Sequence, residues 1–128
     1  MVFDGHGPQG TECARHALDH VPKLALDELS KLEIDDEDRD AAVATAFRDA
    51  YVLADARLDK SKIDDAYSGT TAISLYVDRG KMYATNVGDS RTMLGYAAAA
   101  SATLFLGRAS PRPGIRPLTN RRDPGFVL

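Results

Sequence analysis

The spacing of apolar residues changes period along the chain, and each change predicts an element. From Thr11 to about Ser30 apolar residues recur at Ala14, Ala17, Leu18, Val21, Ala25 and Leu29. Steps of three and four put them on one face of a helix, with Thr11 as its N-cap and Glu12 in the first turn. Pro22 lies inside this run and is expected to break or kink it, because proline removes a backbone donor. Residues 31–40 form a polar bridge that ends in Asp35-Asp36-Glu37-Asp38, negative charge placed where a helix N-terminus favours it. A second helix then runs to about Asp59. Its buried stripe is Ala42, Val43, Ala46, Phe47, Ala50, Ala54 and Leu58, with acids and arginines opposite. Both helices are expected to cover a sheet.

At Thr70 the period falls to two. Thr70 to Val77 alternates Ile73, Leu75 and Val77 against Ala72, Ser74 and Tyr76, the pattern of a strand. Asp78-Arg79-Gly80 is turn chemistry, and Lys81 to Val87 returns as the antiparallel partner. Gly88 breaks the ladder and leaves Asp89 at a strand end, before a third short strand from Thr92 to Tyr96. Residues 70–96 are therefore expected to form a three-stranded antiparallel unit. From Ala97 no period lasts more than one turn, and residues 97–128 read as an irregular, disordered tail rich in Arg, Pro and Ala.

Composition sharpens this division. A chain of 128 residues with 44% hydrophobic content builds one modest domain. The net charge of -3 argues against nucleic acid as a partner, but it hides a split. Residues 1–96 carry 11 Lys and Arg against 18 Asp and Glu, whereas residues 97–128 carry five Arg against Asp123 alone. The single cysteine excludes a disulfide framework and points to a reducing, intracellular setting, cytoplasmic or nuclear. No apolar run approaches the length of a membrane span, and no signal-peptide pattern is seen.

The candidate chemistry is concentrated in Val2-Phe3-Asp4-Gly5-His6-Gly7. An aspartate ending a short strand, on backbone that glycine bends freely, suits a hard cation. The Asp4 carboxylate can bridge two ions, the Gly5 carbonyl can reach one, and His6 can hand a proton to a leaving oxygen. The same residues also suit a plain strand-to-helix turn. Two decoys lie nearby. Gly5-His6-Gly7-Pro8-Gln9-Gly10 fits the dinucleotide fingerprint G-x-G-x-x-G, but only two apolar residues precede it and a second helix follows, so no βαβ unit can close. Cys13, His16 and His20 share one helix side without a fourth zinc ligand, which favours a buried cysteine with two partly exposed histidines. Asp89 suits either a metal ligand or a turn residue bound to neighbouring amides or to Arg91.

Three blocks stand in order: Val2-Phe3-Asp4-Gly5-His6-Gly7, Ser68-Gly69-Thr70-Thr71-Ala72 and Asn86-Val87-Gly88-Asp89-Ser90-Arg91. Together they resemble the metal-dependent type 2C protein serine/threonine phosphatases, the PPM family, over residues 1–96. The resemblance implies an α+β fold, part of an α-β-β-α sandwich of antiparallel sheets flanked by helices. It also implies a site for two or more Mg²⁺ or Mn²⁺ ions, a metal-activated water as nucleophile, and phosphoserine or phosphothreonine proteins as substrates. On that resemblance Asp4 bridges the metals and Gly5 lends its carbonyl. His6 is similar to the general acid, Asp89 helps hold a weaker third ion, and Ser68 to Ala72 is structural.

The family pattern also includes an earlier strand with an acidic ligand and a phosphate-gripping arginine, and a long continuation with two more aspartate ligands. Neither has a counterpart in this sequence, so a truncated domain with activity barely above background is expected. A catalytically silent fragment that binds a partner is the alternative, and a dinucleotide-binding oxidoreductase a remote one.

Overall fold

The computed structural model describes residues 1–32, 38–96 and 114–117. Its elements, in chain order, are β1 (Gly5–His6), α1 (Gly10–Leu29), α2 (Arg39–Leu58), β2 (Gly69–Thr70), β3 (Ala72–Asp78), β4 (Lys81–Val87), β5 (Met93–Tyr96) and β6 (Gly114–Pro117). The strands pair antiparallel as β1 with β2, β3 with β4 and β5 with β6. The fold is α+β, as the sequence predicts.

Both helices form on the predicted stripes. Cys13, Ala17, Val21, Ala25 and Leu29 bury one side of α1, and Val43, Ala46, Phe47, Ala50, Ala54 and Leu58 bury one side of α2. Small residues at these positions let the two helices approach closely. Phe47, Val43 and Val21 are the largest apolar side chains enclosed, each contributing about 1.5–3 kcal/mol on removal from water. Leu18, predicted for the stripe, is instead 55% exposed. Pro22 does not end α1, which continues to Leu29. The Leu18 carbonyl that loses its donor sits at an exposed residue, where water can serve it. Gln9, and not Thr11, is the N-cap of α1, and it makes no side-chain cap. Its main-chain N–H instead donates to Ser68 Oγ at 2.9 Å. Of the predicted acidic run only Asp38, the N-cap of α2, lies among the described residues.

β3 and β4 form a hairpin closed by the pair Asp78 and Lys81. Its two turn residues, Arg79 and Gly80, both have positive φ (50° and 77°), the twist that matches flanking strands. The N-terminal segment adds a further strand-like edge. Val2 exchanges two 2.8 Å main-chain hydrogen bonds with Ile73, Thr71 N–H donates to the Asp4 carbonyl at 2.9 Å, and Gly5 and His6 lie opposite Thr70 and Gly69. One register therefore runs from Val2 to His6 along Gly69 to Ile73.

Alternation in that register separates two faces. Ser74, Tyr76, Tyr83 and Thr85 turn toward the helices, where Phe47, Ala50 and the two tyrosines build the main cluster. Phe3 joins Ala17, Val21 and Ala54 in a second cluster. The opposite face carries Ile73, Leu75, Val77 and Met82, and the last three are 50%, 61% and 41% exposed. The more apolar half of the alternation is thus the uncovered one. Tyr51 explains the choice: its hydroxyl reaches down from α2 to Ser74 Oγ (2.6 Å) and Thr85 Oγ1 (2.7 Å), so a polar pair is satisfied beneath the helices.

The expected three-stranded unit is corrected in one respect. β5 pairs with β6, and not with β4. Ser90 Oγ is tied to Thr71 Oγ1 at 2.7 Å, which draws the chain after β4 across the sheet toward the N-terminal segment and away from the free edge of β4. Of the predicted tail only Gly114–Pro117 lies among the described residues, and it is extended where no regular structure was expected. Among the described residues no helix is long and apolar enough to cross a membrane.

Candidate functional site

The three sequence blocks meet at Thr71. Its N–H holds the Asp4 carbonyl, and its hydroxyl holds Ser90. Because Asp4 lies opposite Thr71 and two residues from Val2, its carboxylate falls on the face that the helices leave open. A cleft of about 760 Å³ opens there, lined by Met1, Val2, Phe3, Asp4, Ile73, Leu75, Ser90, Arg91, Thr92 and Met93. Asp4 is exposed, and among the described residues its carboxylate has no hydrogen-bond partner. One edge of this cleft is apolar and the other carries hydroxyls and a guanidinium.

Gly5 and His6 follow in β1. Gly5 lines a neighbouring cleft of about 410 Å³, with Thr11 and Arg15. A Cβ on Gly5 would lie 2.0 Å from the Gly10 carbonyl oxygen, so the first turn of α1 packs directly on this backbone. That contact explains two glycines of the dinucleotide-like pattern, and β1 is an antiparallel strand of two residues, not the parallel strand such a fingerprint needs. The His6 imidazole lies over Gly69, where a Cβ would sit 2.9 Å from Nε2. Gly69 thus leaves the space that the ring fills, a role the sequence reading did not assign.

Asp89 is exposed and stands beside Ser90, but it is not among the residues lining the Asp4 cleft. Ser90, Arg91 and Thr92 take that place. Of the residues the resemblance assigns to metals, Asp4 lines this cleft, Gly5 lines the neighbouring one and Asp89 lines neither. Thr71 is the residue whose part the sequence reading did not assign. Its signal was the block Ser68 to Ala72, read as a strand entry although its second threonine carries a hydroxyl suited to tying two loops.

The zinc-like trio resolves as the sequence reading favours. Cys13 is fully buried, and burial, with Asp65 and Glu12 adding to it, pushes its thiol pKa up. His16 Nε2–H donates to the Ala54 carbonyl (3.1 Å) and His20 Nδ1–H to the His16 carbonyl (2.8 Å), with the two rings stacked at 4.1 Å. These groups are held as structure.

A metal pair needs more donors than this site offers. Asp4 and a backbone carbonyl are hard oxygen donors of the kind Mg²⁺ or Mn²⁺ takes. Among the described residues, however, no group of three or more His, Cys, Asp or Glu could hold an ion. The described residues do not by themselves fit a two-metal centre.

Comparison with known proteins agrees with the family resemblance. A family model, Protein phosphatase 2C, matches residues 1–104. The chain is 38% identical over 93 residues to Probable protein phosphatase 2C 35 of Arabidopsis thaliana, covering 73% of this chain and 24% of that protein. It is 34% identical over 93 residues to Probable protein phosphatase 1N of Mus musculus, covering 73% and 22%. It is 30% identical over 106 residues to Protein phosphatase 2C homolog 2 of Schizosaccharomyces pombe, covering 81% and 26%. The chain spans about a quarter of the length of these curated relatives. No solved structure matches it. With the ordered blocks gathered around Thr71 and a family model covering residues 1–104, the chain belongs to the protein phosphatase 2C family.

Proposed function

We propose that this chain carries one wall of the active site of a metal-dependent protein serine/threonine phosphatase acting on phosphoserine and phosphothreonine proteins. The observation that carries the reading is the register that fixes Asp4-Gly5-His6 against Gly69-Thr71, with Ser90 tied to the same threonine. In this reading Asp4 and the Gly5 carbonyl are the chain's share of the ligands for Mg²⁺ or Mn²⁺, and Asp89 is a ligand of a more weakly held ion. Such an ion, when bound, supplies Lewis-acid activation of water. His6, an exposed imidazole lying over Gly69, is in this reading the group that would pass a proton to a seryl or threonyl leaving oxygen. Thr71 acts through the other two blocks, as a positioning residue.

One carboxylate and one carbonyl do not offset the dehydration of two divalent ions, so the 128-residue chain is expected to hydrolyse phosphopeptides barely above background. The reading is tested by a chimera in which residues 1–96 replace the matching segment of Arabidopsis protein phosphatase 2C 35. With Mn²⁺ it should hydrolyse a phosphoserine peptide, and Asp4→Asn should lower turnover about a hundredfold or more. Equal turnover by a folded Asp4→Asn chimera would refute the role of Asp4. A catalytically silent binding fragment is favoured by one observation, the uncovered Leu75, Val77 and Met82, and it predicts a soluble chimera without turnover.

A further inference from the structure

We propose that Tyr67, at the tip of the turn between α2 and β2, is a phosphorylation site for a tyrosine kinase, and that the phosphate it gains lowers turnover at the neighbouring Asp4-Gly5-His6 segment. Only the second half rests on the phosphatase reading.

The chain has five tyrosines, and the four with described side chains differ sharply. The Tyr51 hydroxyl is closed between Ser74 and Thr85. Tyr83 is buried and donates to Asp40, and Tyr76 packs half-buried against Phe47 and Tyr83. Tyr67 is 87% exposed, and among the described residues its hydroxyl has no hydrogen-bond partner. A kinase can reach only this phenol without opening the core.

The backbone presents it. Ser68 N–H donates to the Asp65 carbonyl at 3.1 Å, so Asp65–Ser68 is a β-turn with Tyr67 third in it. Both feet of the turn are pinned to Gln9: Asp64 N–H donates to Gln9 Oε1 (3.0 Å), and Gln9 N–H donates to Ser68 Oγ. A kinase takes its peptide extended, and a turn closed by one main-chain hydrogen bond at a loop tip opens at little cost. The charge pattern suits the same partner. Asp64 and Asp65 stand three and two residues before Tyr67, and no lysine or arginine occurs from residue 63 to 78. Such a segment fits a kinase with a basic peptide groove. In the transfer the phenol oxygen attacks the γ-phosphorus of ATP, the bond to the ADP oxygen breaks, and the phenol proton passes to the carboxylate base of the kinase.

The turn also touches the site segment. A Cβ on Gly7 would lie 2.0 Å from the Tyr67 carbonyl oxygen, and Gly69, two residues on, lies beneath the His6 ring. A phosphate on Tyr67 adds a charge of about −1.5 to −2 to a loop that already carries two aspartates, next to a segment that receives a phosphorylated substrate. Like charge repels that substrate, and the repulsion weakens with added salt.

The site is tested on the folded 128-residue chain with Mg²⁺, ATP and a soluble tyrosine kinase that prefers acids before its tyrosine, the phosphate being located by mass spectrometry. Tyr67 should be modified at least about tenfold faster than Tyr51 or Tyr83. Asp64→Asn with Asp65→Asn should slow it about fivefold or more, while Asn at position 64 keeps an acceptor for the Ala66 N–H. No phosphate at Tyr67, or modification of Tyr51 or Tyr83 at the same rate, overturns the proposal. The regulatory half is read in the chimera described above, treated with the kinase beside its Tyr67→Phe form. Only the chimera with Tyr67 should lose turnover on a phosphoserine peptide, by about threefold or more and less so at high salt. Equal turnover before and after modification of Tyr67 refutes the regulatory half. A chimera silent before treatment removes that half together with the phosphatase reading and leaves the modification site standing.

Discussion

Gly69 has no side chain, and the imidazole of His6 occupies the space. Gly69→Ala would put a methyl carbon 2.9 Å from Nε2, at the far end of a side chain that can swing away. The stability loss should stay under about 1 kcal/mol, while the His6 ring proton resonances shift. Unmoved ring resonances in the variant would show that Gly69 does not position His6. A second residue-scale case is Tyr51, whose hydroxyl serves Ser74 and Thr85 beneath the helices. Tyr51→Phe leaves two buried hydroxyls with only each other, and urea unfolding should report a loss of about 1–2 kcal/mol. Adding Ser74→Ala and Thr85→Val should recover part of it, because an all-apolar contact leaves no orphan. No recovery would assign the loss to packing instead.

At the scale of elements, the start of α2 is clamped to the hairpin by charge. Arg39 Nε donates to Asp78 at 2.7 Å, while Lys81 Nζ and the Tyr83 hydroxyl both donate to Asp40 at 2.8 Å. The hydrogen bond from Lys81, and then that from Tyr83, holds the Asp40 carboxyl below its ordinary value. Burial, aided by the nearby Asp40 carboxylate, pushes the Tyr83 phenol up to about 12. The sign of the linkage follows from the protonated phenol being favoured in the fold. Stability from Tyr83 is complete below about pH 10, where the unfolded phenol titrates, and is lost as pH rises toward 12. Urea midpoints measured from pH 8 to 12 should therefore fall above about pH 10. Tyr83→Phe should flatten that fall in part, since burial also raises the phenol of Tyr51. An alkaline limb of the same steepness in Tyr83→Phe would contradict this account.

For the whole molecule, the governing feature is that, among the described residues, the helices cover one face of the β3–β4 hairpin and leave Leu75, Val77 and Met82 of the other exposed. The helices bury Tyr83, Ser74 and Thr85, and the other face leaves Val77 61% exposed beside Leu75 and Met82. An exposed apolar strip on a hairpin whose β4 edge is unpaired among the described residues invites self-association. Val77→Lys, on that strip but outside the Asp4 cleft, should lower association in a concentration series by sedimentation velocity. A parent chain that remains monomeric throughout the series would show that the strip is not sticky. The same one-sidedness leaves the Asp4 cleft open, so association and ligand binding draw on adjacent surface.

The sequence by itself determined what depends on neighbours along the chain. Helical periods fixed α1 and α2 to within two residues, the alternation fixed the hairpin, and Arg79-Gly80 fixed its turn. Cys13 was legible as a buried residue because no fourth zinc ligand accompanies it, His16 and His20, and it is fully buried. The three site blocks were legible as motifs, but not as a geometry. Which face of β3 the helices cover was not written in its alternation, since both halves are compatible with burial and the decision fell to a hydroxyl on Tyr51, twenty-three residues away from Ser74. The route of the chain after β4 was likewise decided by Thr71 holding Ser90, nineteen residues apart. That contact placed Arg91 and Thr92 beside Asp4 and left Asp89 outside the cleft. Periodicity reports how each segment meets an interface, whereas the partner across it is chosen by long-range hydrogen bonds that no local pattern encodes.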